Sequence, residues 1–191
     1  MNRRTLVTTG LTALASSSVA ASAQDKAGSA AGPTLVRAEE SRAGAPWLIA
    51  GTSPVTVKVS ASDVAGRYSV IEVETPPGRG PDLHIHLAQN ELFFVLKGRI
   101  GVVCGEQRIV LNAGDSFLAP LGVPHAFVTL GPENARVLYT FDPAGKMEMF
   151  FEAYAKLIPS HGTPDVKAIG ALSEAAGLKV VGPPLSSTSF A

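Results

Sequence analysis

Between Val55 and Phe141 the apolar residues recur at alternate positions in short runs. Val55, Val57 and Val59 alternate with Thr56 and Lys58, and Tyr68, Val70, Glu72 and Glu74 alternate with Ser69, Ile71 and Val73. A period of two places successive side chains on opposite faces of an extended chain, so each run predicts a half-buried strand. Turn residues separate the runs. Pro76-Pro77-Gly78 ends one, Gly105-Glu106 lies between RIGVVC and RIVLN, and Ala113-Gly114-Asp115 precedes SFLAP. Gly131-Pro132-Glu133-Asn134 lies between HAFVTL and RVLYTF. Thr34 to Ala38 and Trp47 to Ala50 are short apolar runs expected as edge strands. Short strands at near-even spacing predict an antiparallel sandwich or small barrel, with no βαβ repeat.

From Pro143 the period changes. Phe150, Phe151, Tyr154, Leu157 and Ile158 share one helical face, and Pro159 stops that helix. Thr163-Pro164-Asp165 supplies a cap, a first-turn proline and an early acid for a second helix through Ala176, with Gly177 as its stop. LKVVGPPL returns as an extended tail. The expected role of the helices is to cover the barrel or a dimer interface. The alternative is a lid over the open end, with Met147, Met149 and Phe150 meeting a ligand.

Apolar residues make up 46% of the 191-residue chain and charged residues 17%, which fits one folded domain with appendages. The formal charge is zero and no Lys/Arg cluster lies beyond the N-terminus, so nothing supports nucleic-acid binding or a polybasic membrane contact. Cys104 is the single cysteine, which excludes an intrachain disulfide and reads as a buried spectator at a strand end. Residues 1–23 have the form of an export signal: Arg3 and Arg4, a modestly apolar middle, and Ala21-Ser22-Ala23 as a cleavage site. Arg3-Arg4 followed by Thr5, Leu6 and Val7 is similar to a twin-arginine signal, with a general secretory signal as the alternative. The mature chain is therefore expected in the periplasm or outside the cell, without a membrane span.

The candidate chemistry lies in GRGPDLHIHLAQNELFFVLKG, residues 78–98. His84 and His86 are two apart, so on a strand both imidazoles face one spot, and Glu91 follows after a bend-forming LAQN. His125, after the Pro120/Gly122/Pro124 turn, offers a fourth ligand. Three imidazoles and a carboxylate suit one divalent first-row ion, Fe, Mn, Ni, Co, Cu or Zn. By strand parity Phe93 and Val95 share the face of Glu91, and Phe127 that of His125. These, with Tyr68 and Tyr139, are the candidate lining of a pocket for a planar, largely apolar small molecule. Val70 and Phe141 are further candidates, Arg79 is expected in solvent, and His161 is read as a surface residue.

Gly78, five residues, His84-x-His86, four residues, Glu91, six residues and Gly98 resemble the first motif of the cupin superfamily. Gly114, five residues, Pro120-x-Gly122, two residues and His125 resemble the second, and Thr129 stands near the family's customary Asn. The fifteen residues between Gly98 and Gly114 are similar to the spacing of compact single-domain members. The resemblance implies an all-β fold, a double-stranded β-helix or jelly-roll barrel with C-terminal helices. Its expected divisions are a signal peptide 1–23, a flexible linker 24–33, a barrel 34–142, and a helical extension and tail 143–191. Within the superfamily, Val55 to Leu185 looks like the quercetin dioxygenase-like cupins, many of which end in two helices and a VxGPPL-like tail. That likeness implies His84, His86, Glu91 and His125 as metal ligands. It also implies dioxygen-dependent cleavage of an enol or flavonol-like phenol, with Glu91 as proton acceptor. The alternatives are an exported non-catalytic cupin that binds a small molecule or metal, and a Zn-dependent isomerase or hydrolase. A homodimer is compatible with the sequence.

Overall fold

The computed structural model describes residues 32–158, 160–161 and 163–190. The export-signal stretch and the linker through residue 31 lie outside the described residues. Among the described residues eleven strands form: β1 (Trp47–Ile49), β2 (Ser53–Val59), β3 (Ser69–Thr75), β4 (Asp82–His86), β5 (Asn90–Lys97), β6 (Arg99–Cys104), β7 (Gln107–Asn112), β8 (Ser116–Ala119), β9 (His125–Thr129), β10 (Ala135–Asp142) and β11 (Leu178–Pro184). Two helices, α1 (Met147–Leu157) and α2 (Val166–Ala176), lie between β10 and β11.

The alternation read from the sequence reappears as burial. Ser69, Ile71, Val73 and Thr75 of β3 are buried, as are Glu91, Phe93 and Val95 of β5. The strands pair antiparallel in two sheets, of order β1-β2-β3-β10-β5-β8 and β11-β4-β9-β6-β7. The inward residues of both, among them Ile71, Phe93, Val95, Ile100, Val102, Val137 and Phe141, form one core between the layers. This is the jelly-roll architecture of cupins, with two short helices between β10 and β11.

Only part of the N-terminal expectation holds. Trp47–Ile49 is an edge strand, but residues 34–38 form none. The end of this stretch instead turns its carbonyls to a side chain: the Lys58 ammonium donates to those of Arg37, Ala38 and Glu40 at 3.3, 2.6 and 2.9 Å.

The second helix begins two residues later than the sequence suggests. Asp165 is itself the cap, its Oδ1 accepting from Ala168 N at 3.0 Å, and a carboxylate there also meets the positive end of the helix dipole. Gly177 ends it in the left-handed region at φ 81°. The tail then pairs with β4 as β11, opposite the strand that carries His84 and His86. α1 is tied to the barrel by Glu148, which accepts from Ser60 Oγ at 2.9 Å and Ala61 N at 2.5 Å.

Candidate metal centre

His84 and His86 lie on β4, His125 on β9 of the same sheet, and Glu91 on β5 of the other sheet. The group therefore spans the two layers. One ligand atom from each of the four lies within 4.8 Å of the others, an arrangement that could hold a metal ion.

Hydrogen bonds orient the rings. His84 Nδ1 is 2.8 Å from Asp82 O, and His125 Nδ1 is 2.8 Å from Val123 O. A carbonyl only accepts, so both Nδ1 atoms carry hydrogen and each neutral ring turns the lone pair of Nε2 to the centre. There, Glu91 Oε2 stands 2.9 Å from His125 Nε2 and 3.1 Å from His86 Nε2. His125 thus sets an acceptor nitrogen against an acceptor oxygen, which requires a cation between or beside them, either a proton or a metal ion. Three imidazole nitrogens and a carboxylate oxygen match the preferences of first-row divalent ions, so the residues fit the group.

Electrostatics follow the same geometry. Burial disfavours the Glu91 carboxylate, but hydrogen bonds from His125 and His86 and the charge of both override it and hold the group well below the usual carboxylate range. Burial likewise pulls His125 down, yet the hydrogen bond and charge of Glu91 prevail and its pKa is raised. For His84 burial wins, and its pKa falls from 6.5 to about 4 despite the attraction of Glu91.

The group opens on a cavity of about 620 Å³ with His84, His86 and Glu91 in its wall. That volume lies within the usual range for small-molecule sites. Phe127, Tyr139 and Phe141 line it from the strands, and Met147, Phe150, Phe151 and Tyr154 from α1. Arg79 and Asp82 also border it.

Of the pocket residues expected from sequence, Phe127 and Tyr139 line the cavity, whereas Phe93, Val95 and Tyr68 do not. Phe93 and Val95 do point inward with Glu91, but they are fully buried in the core. Phe93 packs behind the site, its ring 6.2 Å from His125 and 5.2 Å from Tyr139. Tyr68 precedes β3 on the side of Val70, Glu72 and Glu74, away from the core, and is 36% exposed. Helix α1 covers the barrel as expected, with Met147, Phe150 and Phe151 packed on the core, and the same inward face sets Met147 and Phe150 in the cavity wall, while Met149 points outward at 42% exposure. Phe151 and Tyr154 were missed as lining residues, although both belong to the apolar stripe visible in the sequence. Arg79 is exposed as expected and still contributes to the cavity. His161 is exposed and stands apart from the group.

Fold and site thus describe a jelly-roll β-protein with a three-histidine, one-glutamate group in an aromatic cavity. Residues 71–141 match the Cupin_2 family model, described as a cupin domain, and this span contains all four candidate ligands. The match and the architecture support the cupin superfamily. No curated protein matches the chain at a significant level. Among solved structures, a predicted oxalate decarboxylase from Thermotoga maritima aligns at 18% identity over 48% of this chain and 80% of its own, with TM-score 0.46. An RmlC-like cupin from Shewanella frigidimarina aligns at 23% identity over 50% of this chain and 80% of its own, with TM-score 0.44. An oxalate oxidase aligns at 25% identity over 48% of this chain, with TM-score 0.42, and the chain spans 51% of its length.

Proposed function

We propose that the protein is a metal-dependent dioxygenase of the quercetinase-like type, cleaving an enolic or phenolic, flavonol-like substrate. The observation that carries the reading is the position of Glu91: its Oε2 meets two imidazoles, and the residue also lines a cavity with aromatic walls. His84, His86, Glu91 and His125 would hold one divalent ion. The chemistry such an ion supplies is acidification of a coordinated hydroxyl and access to dioxygen reactivity.

The chain's own residues do the rest. Phe127, Phe141, Phe150 and Phe151 offer faces and edges to a planar substrate and exclude water. The three histidines keep the site assembled while Glu91 accepts the substrate's hydroxyl proton on a carboxylate oxygen. Coordination of the substrate hydroxyl would acidify it, so the accepting carboxylate need not be a strong base. Aerobic incubation of the metal-loaded protein with quercetin, followed by oxygen uptake, tests the reading. Uptake that vanishes in Glu91→Gln, with part of the metal retained, supports it. Vigorous cleavage by that variant refutes the proton-acceptor role, and metal-loaded wild-type protein without uptake favours the non-catalytic or zinc-dependent alternatives.

Two further proposals concern context. Export rests on the signal-like residues 1–23 and is tested by fractionating cells that produce the full chain. Pairing with a second copy is supported by Leu92, Phe94, Leu96 and Leu118, exposed apolar residues of β5 and the edge strand β8. Light scattering reads the oligomeric state.

A further inference from the structure

Tyr139 combines two properties that do not belong to a plain core residue. It is only 3% exposed, with its ring held by Phe93, Phe127 and Phe141 at centroid distances of 5.2, 5.9 and 6.4 Å. Its hydroxyl is buried and has no hydrogen-bond partner. In these aromatic surroundings a phenylalanine would keep every ring contact and leave no polar atom unsatisfied.

Topology places Tyr139 beside the metal group. Tyr139 pairs with Phe93 and Phe141 with Glu91 across β10 and β5, so Tyr139 and Glu91 are diagonal neighbours on one inward face. Both line the cavity that His84 and His86 also border. Among the described lining residues, Tyr139 carries the one hydroxyl that is both buried and unpaired.

We propose that Tyr139 is a substrate-positioning residue whose O–H donates a hydrogen bond to a second oxygen of a ligand that offers its first oxygen to the His84/His86/Glu91/His125 group. The ligand class is thereby narrowed from any phenol or enol to one that carries an acceptor oxygen next to the hydroxyl, such as a hydroxy-ketone. The proposal rests on the metal-site part of the functional reading and does not require dioxygen cleavage.

The test is an anaerobic titration of cobalt-loaded protein with maltol, which has a hydroxyl beside a carbonyl, and with phenol, which lacks the carbonyl. Cobalt absorption reports binding. In Tyr139→Phe, maltol should bind about fivefold or more weakly, the worth of one hydrogen bond, while phenol binding is unchanged. Cobalt content should stay the same and the melting temperature should hold or rise, because the substitution removes an unpaired buried hydroxyl. Unchanged maltol affinity would overturn the proposal. So would an equal loss for both ligands, a lower melting temperature with loss of cobalt, or a wild-type protein that does not prefer maltol. Oxygen uptake with quercetin judges the dioxygenase reading separately, so either can fail alone.

Discussion

His84 and His125 face each other directly across the β4–β9 pair, each with its Nδ1 bonded to the carbonyl two residues before it. Two ligands from separate strands are thus oriented by the same local device, and their Nε2 atoms turn to a common centre before any ion arrives. Preorganisation of this kind favours metal binding, since little ordering remains to be done when the ion enters.

Removing one of these ligands should therefore cost affinity without unfolding the barrel. His84→Ala is expected to weaken divalent-metal binding by more than about a hundredfold, beyond the usual loss for a residue that only orients a ligand. Competition with a chelator measures it, and circular dichroism checks that the strands persist.

Stability of the metal-free protein should peak near pH 6.5, the ordinary histidine value. Burial holds His84 near 4, so between 6.5 and 4 the unfolded chain binds more protons and stability falls as pH drops. For His125, Glu91 outweighs burial and raises the pKa, so its contribution is complete below 6.5 and is lost as pH rises through the folded value. With the metal bound, all three histidines are held unprotonated and the loss above 6.5 should disappear. Urea midpoints across pH, with and without metal, give both curves.

Gly80 borders the cavity, and a Cβ there would run into the backbone carbonyl of Phe127 on β9. Backbone cannot swing aside as a side chain can. Gly80→Ala should destabilise the fold by about 1–3 kcal/mol and shift Phe127, seen as a lower urea midpoint and weaker binding of maltol.

Glu148 fixes α1, and with it Met147, Phe150 and Phe151, over the cavity. Glu148→Ala removes a carboxylate that accepts from Ser60 and Ala61, at a cost of about 1.5–3 kcal/mol. The loss should concentrate in the helix, so faster hydrogen exchange in residues 147–157 than in β3 or β10 is the expected signature.

The strands and the four candidate ligands were legible because both depend on short-range rules. A period of two fixes a face, and motif spacing fixes which side chains share it. The rule names two faces without saying what each one meets. On β5 the inward face runs from Glu91 at the cavity to Phe93 and Val95 in solid core, which parity cannot distinguish. Around β3 both faces carry apolar residues, so Tyr68 read as readily inward as outward. The stripe on α1 was plain, yet an apolar helix face turned to a cavity has the same sequence as one packed on core. The pairing of β11 with β4 joins residues far apart in the chain, and the carbonyls of Arg37 and Ala38 meet one distant ammonium, Lys58. Neither leaves a local signal.

The most direct test of a single ion held by His84, His86, Glu91 and His125 is X-ray absorption on protein loaded with one equivalent of zinc. The account predicts a first shell of imidazole nitrogens and a carboxylate oxygen at about 2.0–2.2 Å, with the imidazole signal reduced in His86→Ala. Protein that retains no zinc after dialysis, or a spectrum unchanged by that substitution, would contradict it.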